Sequence, residues 1–266
     1  MACASIVGLE DPSDPSTPPP EADADVLAAD AAADTATSSN DGSNADATDA
    51  AADAASNPCS DPTLLAYWRL DEGTGTKVSD CSPNAHVGTT NGSTWVAGRD
   101  GGSAMSFDGT GQYVDFGNPT KLHVTGALSV TAWINVRALV GGSFIAKSGG
   151  GANRGWDFIV EADGRLRYRI GVDATTEVEA FVATVPTMKW IHVAGVFDPG
   201  VAVRLYVDGV EVSTAAGTIP AAQRDTTLPV WMGKRNDCCA FNGTVDDVRV
   251  YGRVLSAAEV KAIASQ

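Results

Sequence analysis

From Leu64 to Tyr251 apolar residues recur at every second position in short runs, and 26 glycines after Pro62 punctuate them. Only a strand with one buried face has that period, so the alternation predicts β-structure. The runs include Leu64–Leu70, Leu128–Val136, Trp190–Phe197 and Gly243–Tyr251. Asp208-Gly209, between Val203–Val207 and Val210–Ser213, is the dipeptide a two-residue hairpin demands. Ala162-Asp163-Gly164 joins Gly155–Glu161 to Arg165–Ile170 in the same way. Trp133 and Trp190 read as core, and His192, inside WIHVAGVF, as a packed, hydrogen-bonded histidine. One helix is predicted at the end, where Ser256 caps and Glu259 stands three residues on. The expected fold class is all-β, an antiparallel two-sheet sandwich with a short C-terminal helix.

The chain divides by composition. Residues 1–60 hold 12 acidic side chains, no Lys or Arg and none of the 18 aromatics. Such a segment has too little apolar area to offset its ordering entropy, so 1–60 is expected to be a disordered acidic tether and 61–266 the folded domain. The net charge is −15. A chain without a basic surplus releases no counterions on nucleic acid, which excludes that partner. No apolar run approaches the ~18 residues of a membrane span. Met1-Ala2-Cys3-Ala4-Ser5 resembles the start of a mature bacterial lipoprotein, with Cys3 the lipid-bearing residue, although no charged and apolar leader precedes it. The expected location is extracytoplasmic, as a secreted protein or an outer-membrane or cell-surface lipoprotein. Membrane contact is expected only through that anchor.

Seven segments in order carry a resemblance. They are AYWRLDEGTGTKVSD at 66–80, Asp80-x-Ser82-x-Asn84, SFDGTGQYVDFG at 106–117, LSVTAWI at 128–134, KWIHVAGVFD at 189–198, RLYVDGVEV at 204–212 and FNGTVDDVRVYGRVLSAAEV at 241–260. Together they resemble the laminin-G-like, concanavalin-A-like jelly-roll domains of bacterial surface proteins. The resemblance implies a jelly roll that acts as a binding module, often for carbohydrate and often with a structural calcium.

Pairing the first strand with the last would bring Asp71, Glu72, Asp80, Asn84, Asp246 and Asp247 to one end of the sandwich. Asp246 shares strand parity with Val248 and Val250, so it is expected to point inward and to need a cation. These six are the expected calcium ligands, with Asp80 and Asp246 foremost. The alternative is a set of solvated turn residues. Cys59, Cys81, Cys238 and Cys239 allow three connectivities. Adjacent residues lie below the usual disulfide Cα separation, so Cys81 is expected to pair with Cys238 or Cys239, and Cys59 with the other. The rival is Cys59–Cys81 with an adjacent pair. Disulfides fit an oxidising compartment.

The carboxylate pattern of a sandwich-fold glycosidase, E-x-D-x-x-E, is missing: Glu161-Ala162-Asp163 occupies a turn, and Glu177 and Glu179 have no third partner. No Ser-His-Asp or Cys-His order stands out, so the protein is expected not to be an enzyme. A sugar needs aromatic platforms, and Trp95, Trp156, Tyr168, Phe181 and Trp231 are the candidates for ligand contact. The expected partner is a glycan or a glycosylated surface molecule. The rival readings are a protein-interaction module without sugar binding and an unusual glycoside hydrolase.

Overall fold

The computed structural model describes residues 57–266. The acidic stretch and Cys3 lie outside the described residues. In chain order the strands are β1 (Leu64–Trp68), β2 (Lys77–Val78), β3 (Gly88–Asn91), β4 (Thr94–Ala97), β5 (Ser103–Asp108) and β6 (Tyr113–Asp115). Next come β7 (Leu128–Ala138), β8 (Gly142–Lys147), β9 (Trp156–Val160), β10 (Leu166–Gly171) and β11 (Glu177–Val182). The last five are β12 (Trp190–Asp198), β13 (Ala202–Val207), β14 (Val210–Thr214), β15 (Trp231–Met232) and β16 (Asn242–Tyr251), followed by α1 (Ala257–Ala264).

The strands form two eight-stranded sheets. The first runs β14-β13-β12-β7-β16-β5-β4, with β1 also paired to β16, and the second runs β11-β10-β9-β8-β15-β6-β3-β2. Every ladder between named strands is antiparallel. Alternation places one face of each sheet inside. Val130, Ala132, Ile134 and Val136 of β7 meet Phe158, Val160, Tyr168 and Ile170 across the sandwich, all in one continuous core. Trp68 stacks on Phe116 with ring centroids 3.8 Å apart, and Phe144 on Phe158 at 5.1 Å. At Gly195 the ring of Tyr168 occupies the space of a side chain: a Cβ there would stand 2.3 Å from it.

Local chemistry sets the ends. Asp208 and Gly209 both take positive φ, 48° and 78°, as the tight turn between β13 and β14 requires. The Ser256 side chain accepts from Glu259 N–H while the Glu259 carboxylate accepts from Ser256 N–H, so the expected capping box starts α1. This helix covers part of the first sheet's outer face, where Tyr67, Ala194, Val196, Tyr206, Tyr251, Leu255 and Val260 form a second apolar cluster.

Three expectations change. Cys59 pairs with Cys81, and Cys238 with Cys239. Cys59 sits in the turn before β1, and Cys81 N–H donates to Tyr67 O of β1, so the two flank one strand. β1 pairs only with the far half of β16, from Val248 to Tyr251, whereas Cys239 O accepts from Ser143 N–H of the second sheet. At about 3.3 Å per residue along β16, the preferred Cys81 pairing could not form. Second, Asp246 does not share a face with Val248 and Val250. The β16–β7 register shifts between Asp246 and Arg249, with Asp247 at φ 53°, so Val245, Val248 and Val250 all enter the core. Asp246 therefore faces outward, opposite Trp133. Third, Trp133 and Trp190 both lie on that outer face and not in the core, their parity being opposite to Ala132 and Ile134 on β7 and to Ile191 and Val193 on β12. His192, beside Trp133, is fully buried, but neither ring nitrogen has a partner among the described residues.

Replacing Gly195 by Ala pushes a methyl into the Tyr168 ring. The expected loss of stability is about 1–3 kcal/mol, read from the denaturant midpoint. An unchanged midpoint would show that the two sheets separate there without penalty.

Candidate functional site

Two places on the surface bring chemistry-bearing side chains together. The first lies on β16 where its neighbour changes from β5 to β1. β5 pairs with Asn242–Val245, β1 with Val248–Tyr251, and Asp246 and Asp247 occupy the changeover. Asp246 is 5% exposed, and its one recorded donor is Arg99 N–H at 3.3 Å from Oδ2. Burial, with Asp247, Asp100 and Asp71 adding their charge, pushes its carboxyl up to about 7. Asp247 accepts from the Tyr67 hydroxyl and lies 3.5 Å from Arg249. The Arg99 guanidinium stacks on Trp133, 4.2 Å from the ring centre. Burial, then Arg249 and Arg99, pushes the His192 imidazole down to about 3.

The other expected metal ligands are engaged elsewhere. Asp80 accepts from Tyr67 N–H and Ser82 N–H at Oδ1, and from Ser82 Oγ and His86 N–H at Oδ2. Four donors fill it, so it organises the loop beside β1 and has no call for a cation. Asn84 donates to Leu64 O and Leu65 O, and Glu72 Oε1 accepts from Ser79 N–H. Asp71 pairs with Arg69 at 3.3 Å. Among the described residues no three His, Cys, Asp or Glu side chains converge as a metal site, so the six are not gathered at one point.

The second place is the outer face of the second sheet. Val114 of β6 and Met232 of β15 enter the core. Their neighbours Tyr113, Asp115 and Trp231 therefore face out. Trp231 stands directly opposite Asp115 on one side and Ala146 on the other. The Tyr113 and Trp231 rings lie 4.4 Å apart, tilted by 39°. Gly233 then takes φ 95°, with the Phe107 ring where a side chain would be, and the chain turns back. That turn carries Lys234 Nζ over both rings, 4.7 Å from Tyr113 and 4.8 Å from Trp231. Trp231 Nε1–H is shut off from solvent and has no acceptor among the described residues.

The loop continues over β8 and is held firmly. Asn236 donates to Ser148 O and Pro229 O, and Asp237 accepts from Gly150 N–H and Arg235. It carries the exposed Cys238. Beyond it, β9 to β11 present a lattice of ion pairs. Arg169 grips Asp157 through two bonds of 2.7 and 2.6 Å, Arg167 bonds Glu179 and reaches Glu161 at 3.4 Å, and Arg154 bonds Glu177.

Of the five expected platforms, Trp231 is central to this face. Trp156 and Tyr168 are not platforms: they are 2% and 0% exposed, because their parity on β9 and β10 points into the core. Phe181 is 45% exposed on β11 at the far edge of the same sheet. Trp95 is half-buried on β4 of the other sheet and donates to Gly75 O. Sequence reasoning missed Tyr113 and Lys234. The strand parity in QYVDF, with Val114 and Phe116 inward, carried the signal for Tyr113. Nothing local marks Lys234, whose position depends on the reversal at Gly233.

A family model described as the concanavalin A-like lectin/glucanases superfamily matches residues 108–261, more than half of the chain. A comparison with curated proteins finds no match. Among solved structures, the binding domain of Paraclostridial Mosquitocidal Protein 1 is similar at 16% identity and TM-score 0.62, covering 76% of this chain and 52% of that one. Domain 4 of AbnA, a GH43 extracellular arabinanase from Geobacillus stearothermophilus in complex with arabinotriose, is similar at 19% identity and TM-score 0.55, covering 76% and 98%. The binding domain of Botulinum Neurotoxin DC in complex with SialylT is similar at 10% identity and TM-score 0.58, covering 77% and 51%. The chain thus spans about half the length of the two toxin binding domains. At these identities the likeness is one of fold.

Because the folded-state pKa of Asp246 is raised from 3.8 to about 7, the stability it contributes is complete below about pH 4 and is lost as pH rises through 7. Asp246→Asn removes that loss. Its melting temperature is expected to match the wild type at pH 4 and to exceed it at pH 8; equal melting at both pH values would contradict the raised carboxyl.

Proposed function

The chain belongs to the concanavalin A-like lectin/glucanase superfamily, and from that premise we propose that it is a non-catalytic carbohydrate-binding module. The observation that carries the reading is the half-buried Tyr113–Trp231 pair on the outer face of the second sheet. Aromatic faces pack against the C–H face of a pyranose, and the neighbouring polar groups fix its orientation. The AbnA domain, whose structure holds arabinotriose, and the neurotoxin domain in complex with SialylT lend support through their shared fold. The glutamates that come nearest to a hydrolase's carboxylate row are committed to structure: Glu161, Glu177 and Glu179 each meet an arginine. The two disulfides support an extracytoplasmic location, and the Met1–Ser5 resemblance alone makes Cys3 the residue proposed for lipid attachment.

A protein partner is the second reading, favoured by the likeness to a binding domain of Botulinum neurotoxin DC in complex with rat synaptotagmin II. A glycan array separates the two. The full chain is expected to bind a restricted set of oligosaccharides, and Trp231→Ala to lose them by at least about tenfold while keeping its melting temperature. Binding that survives Trp231→Ala would move the site elsewhere, and an empty array with a specific protein pulled down would favour the second reading.

Calcium enters this reading at Asp246. Its buried carboxylate, with Asp71, Asp100 and Asp247 as charged neighbours, gains most from a divalent ion, with carbonyl and water oxygens completing the shell. Calcium chloride is expected to raise the melting temperature of the wild type at pH 8 by several degrees and to leave Asp246→Asn unmoved. No calcium effect on the wild type would remove the ion from the account.

A further inference from the structure

We infer that the Tyr113–Trp231 face selects sugars that carry a carboxylate, with Lys234 as the partner of that group. The inference rests on the carbohydrate-binding reading and adds the class of ligand. Two observations point the same way. Of the arginines of the second sheet and its loops, Arg154, Arg165, Arg167, Arg169 and Arg235 are each paired with a carboxylate, and Arg224 donates to the backbone carbonyls of Ala152 and Asp173. Lys234 has no such partner among the described residues; its ammonium rests only on the two aromatic rings. Beside it, the Trp231 indole N–H is a buried donor without an acceptor. The unpaired cation at this aromatic pair asks for an anionic ligand, and the indole N–H adds a donor where binding uncovers it.

The position of Lys234 turns this into selectivity. Its ammonium covers the ring faces that a pyranose would stack on. A neutral sugar must displace a cation–π contact and offers the ammonium only neutral hydroxyl acceptors in return. A uronic or sialic acid residue gives the displaced ammonium a carboxylate in exchange, so stacking and ion pairing form together. Asp115, one strand from Trp231, is the nearest acid in the row, and its Oδ1 accepts from Gly117 N–H. The Gly233 turn fixes the arrangement, since its positive φ returns the chain over the rings.

The test compares matched pairs by calorimetry on the full chain: tetragalacturonate with the galactose tetrasaccharide of the same linkage, and sialyllactose with lactose. The two pairs separate a uronate from a sialate ligand. At least one acidic member is expected to bind about tenfold more tightly than its neutral counterpart in low salt, with the margin shrinking at high salt. Lys234→Met, on a half-buried side chain, is expected to keep its melting temperature and to bring the ratio close to one. Neutral and acidic sugars bound alike by the wild type, or a preference that survives in Lys234→Met, would overturn the inference and leave the carbohydrate reading standing. No binding to any of the four sugars would overturn the inference, and the glycan array then decides the carbohydrate reading by itself.

Discussion

Burial of one face of each sheet against the other is the constraint from which everything else here follows. Once Val114, Met232, Phe158 and Tyr168 are committed to the core, the opposite parity on the same strands must present Tyr113, Trp231, Asp157 and Arg169 outward. The outer face of the second sheet is thus a by-product of core packing, and its chemistry is set one residue away from the residues that stabilise the fold. The same logic explains why a single register shift has such reach. At Asp247 one extra residue in β16 turns Asp246 outward and still returns Val248 to the core.

Much of the architecture was legible because alternation and turn chemistry are local. The long strands, the Asp208-Gly209 turn and the capping box at Ser256 follow from residues that lie close together in the chain. The short strands β2, β3, β4 and β15 carry too few alternating residues to show a period, and the pairing of strands supplies what the pattern lacks. The cysteine pairing was misjudged for a related reason. The first strand does lie against the last, but only along its far half, and register within a ladder is not written in either strand alone.

The candidate site was less legible than the fold. Trp231 stands out by residue type, yet Trp156 and Tyr168 look equally eligible until parity buries them. The acids read as one cluster divide by hydrogen bonding. Asp80 is saturated by four donors, whereas Asp246 has a single distant one. Both are buried, and the difference between a loop organiser and an uncompensated carboxylate lies wholly in their partners. Lys234 shows the limit of sequence reading most clearly, because the positive φ of Gly233, one residue earlier, decides where its charge comes to rest.

The account stands on the outer face of the second sheet being where sugar binds. The chain has six tryptophans, and each gives its own indole N–H signal in a nitrogen–proton correlation spectrum. Titration with an oligosaccharide ligand should shift the Trp231 indole first and farthest, leaving the core signals of Trp68 and Trp156 in place. A titration that moves the Trp133 or Trp95 indole while Trp231 stays fixed would place the ligand on the other sheet and contradict the account.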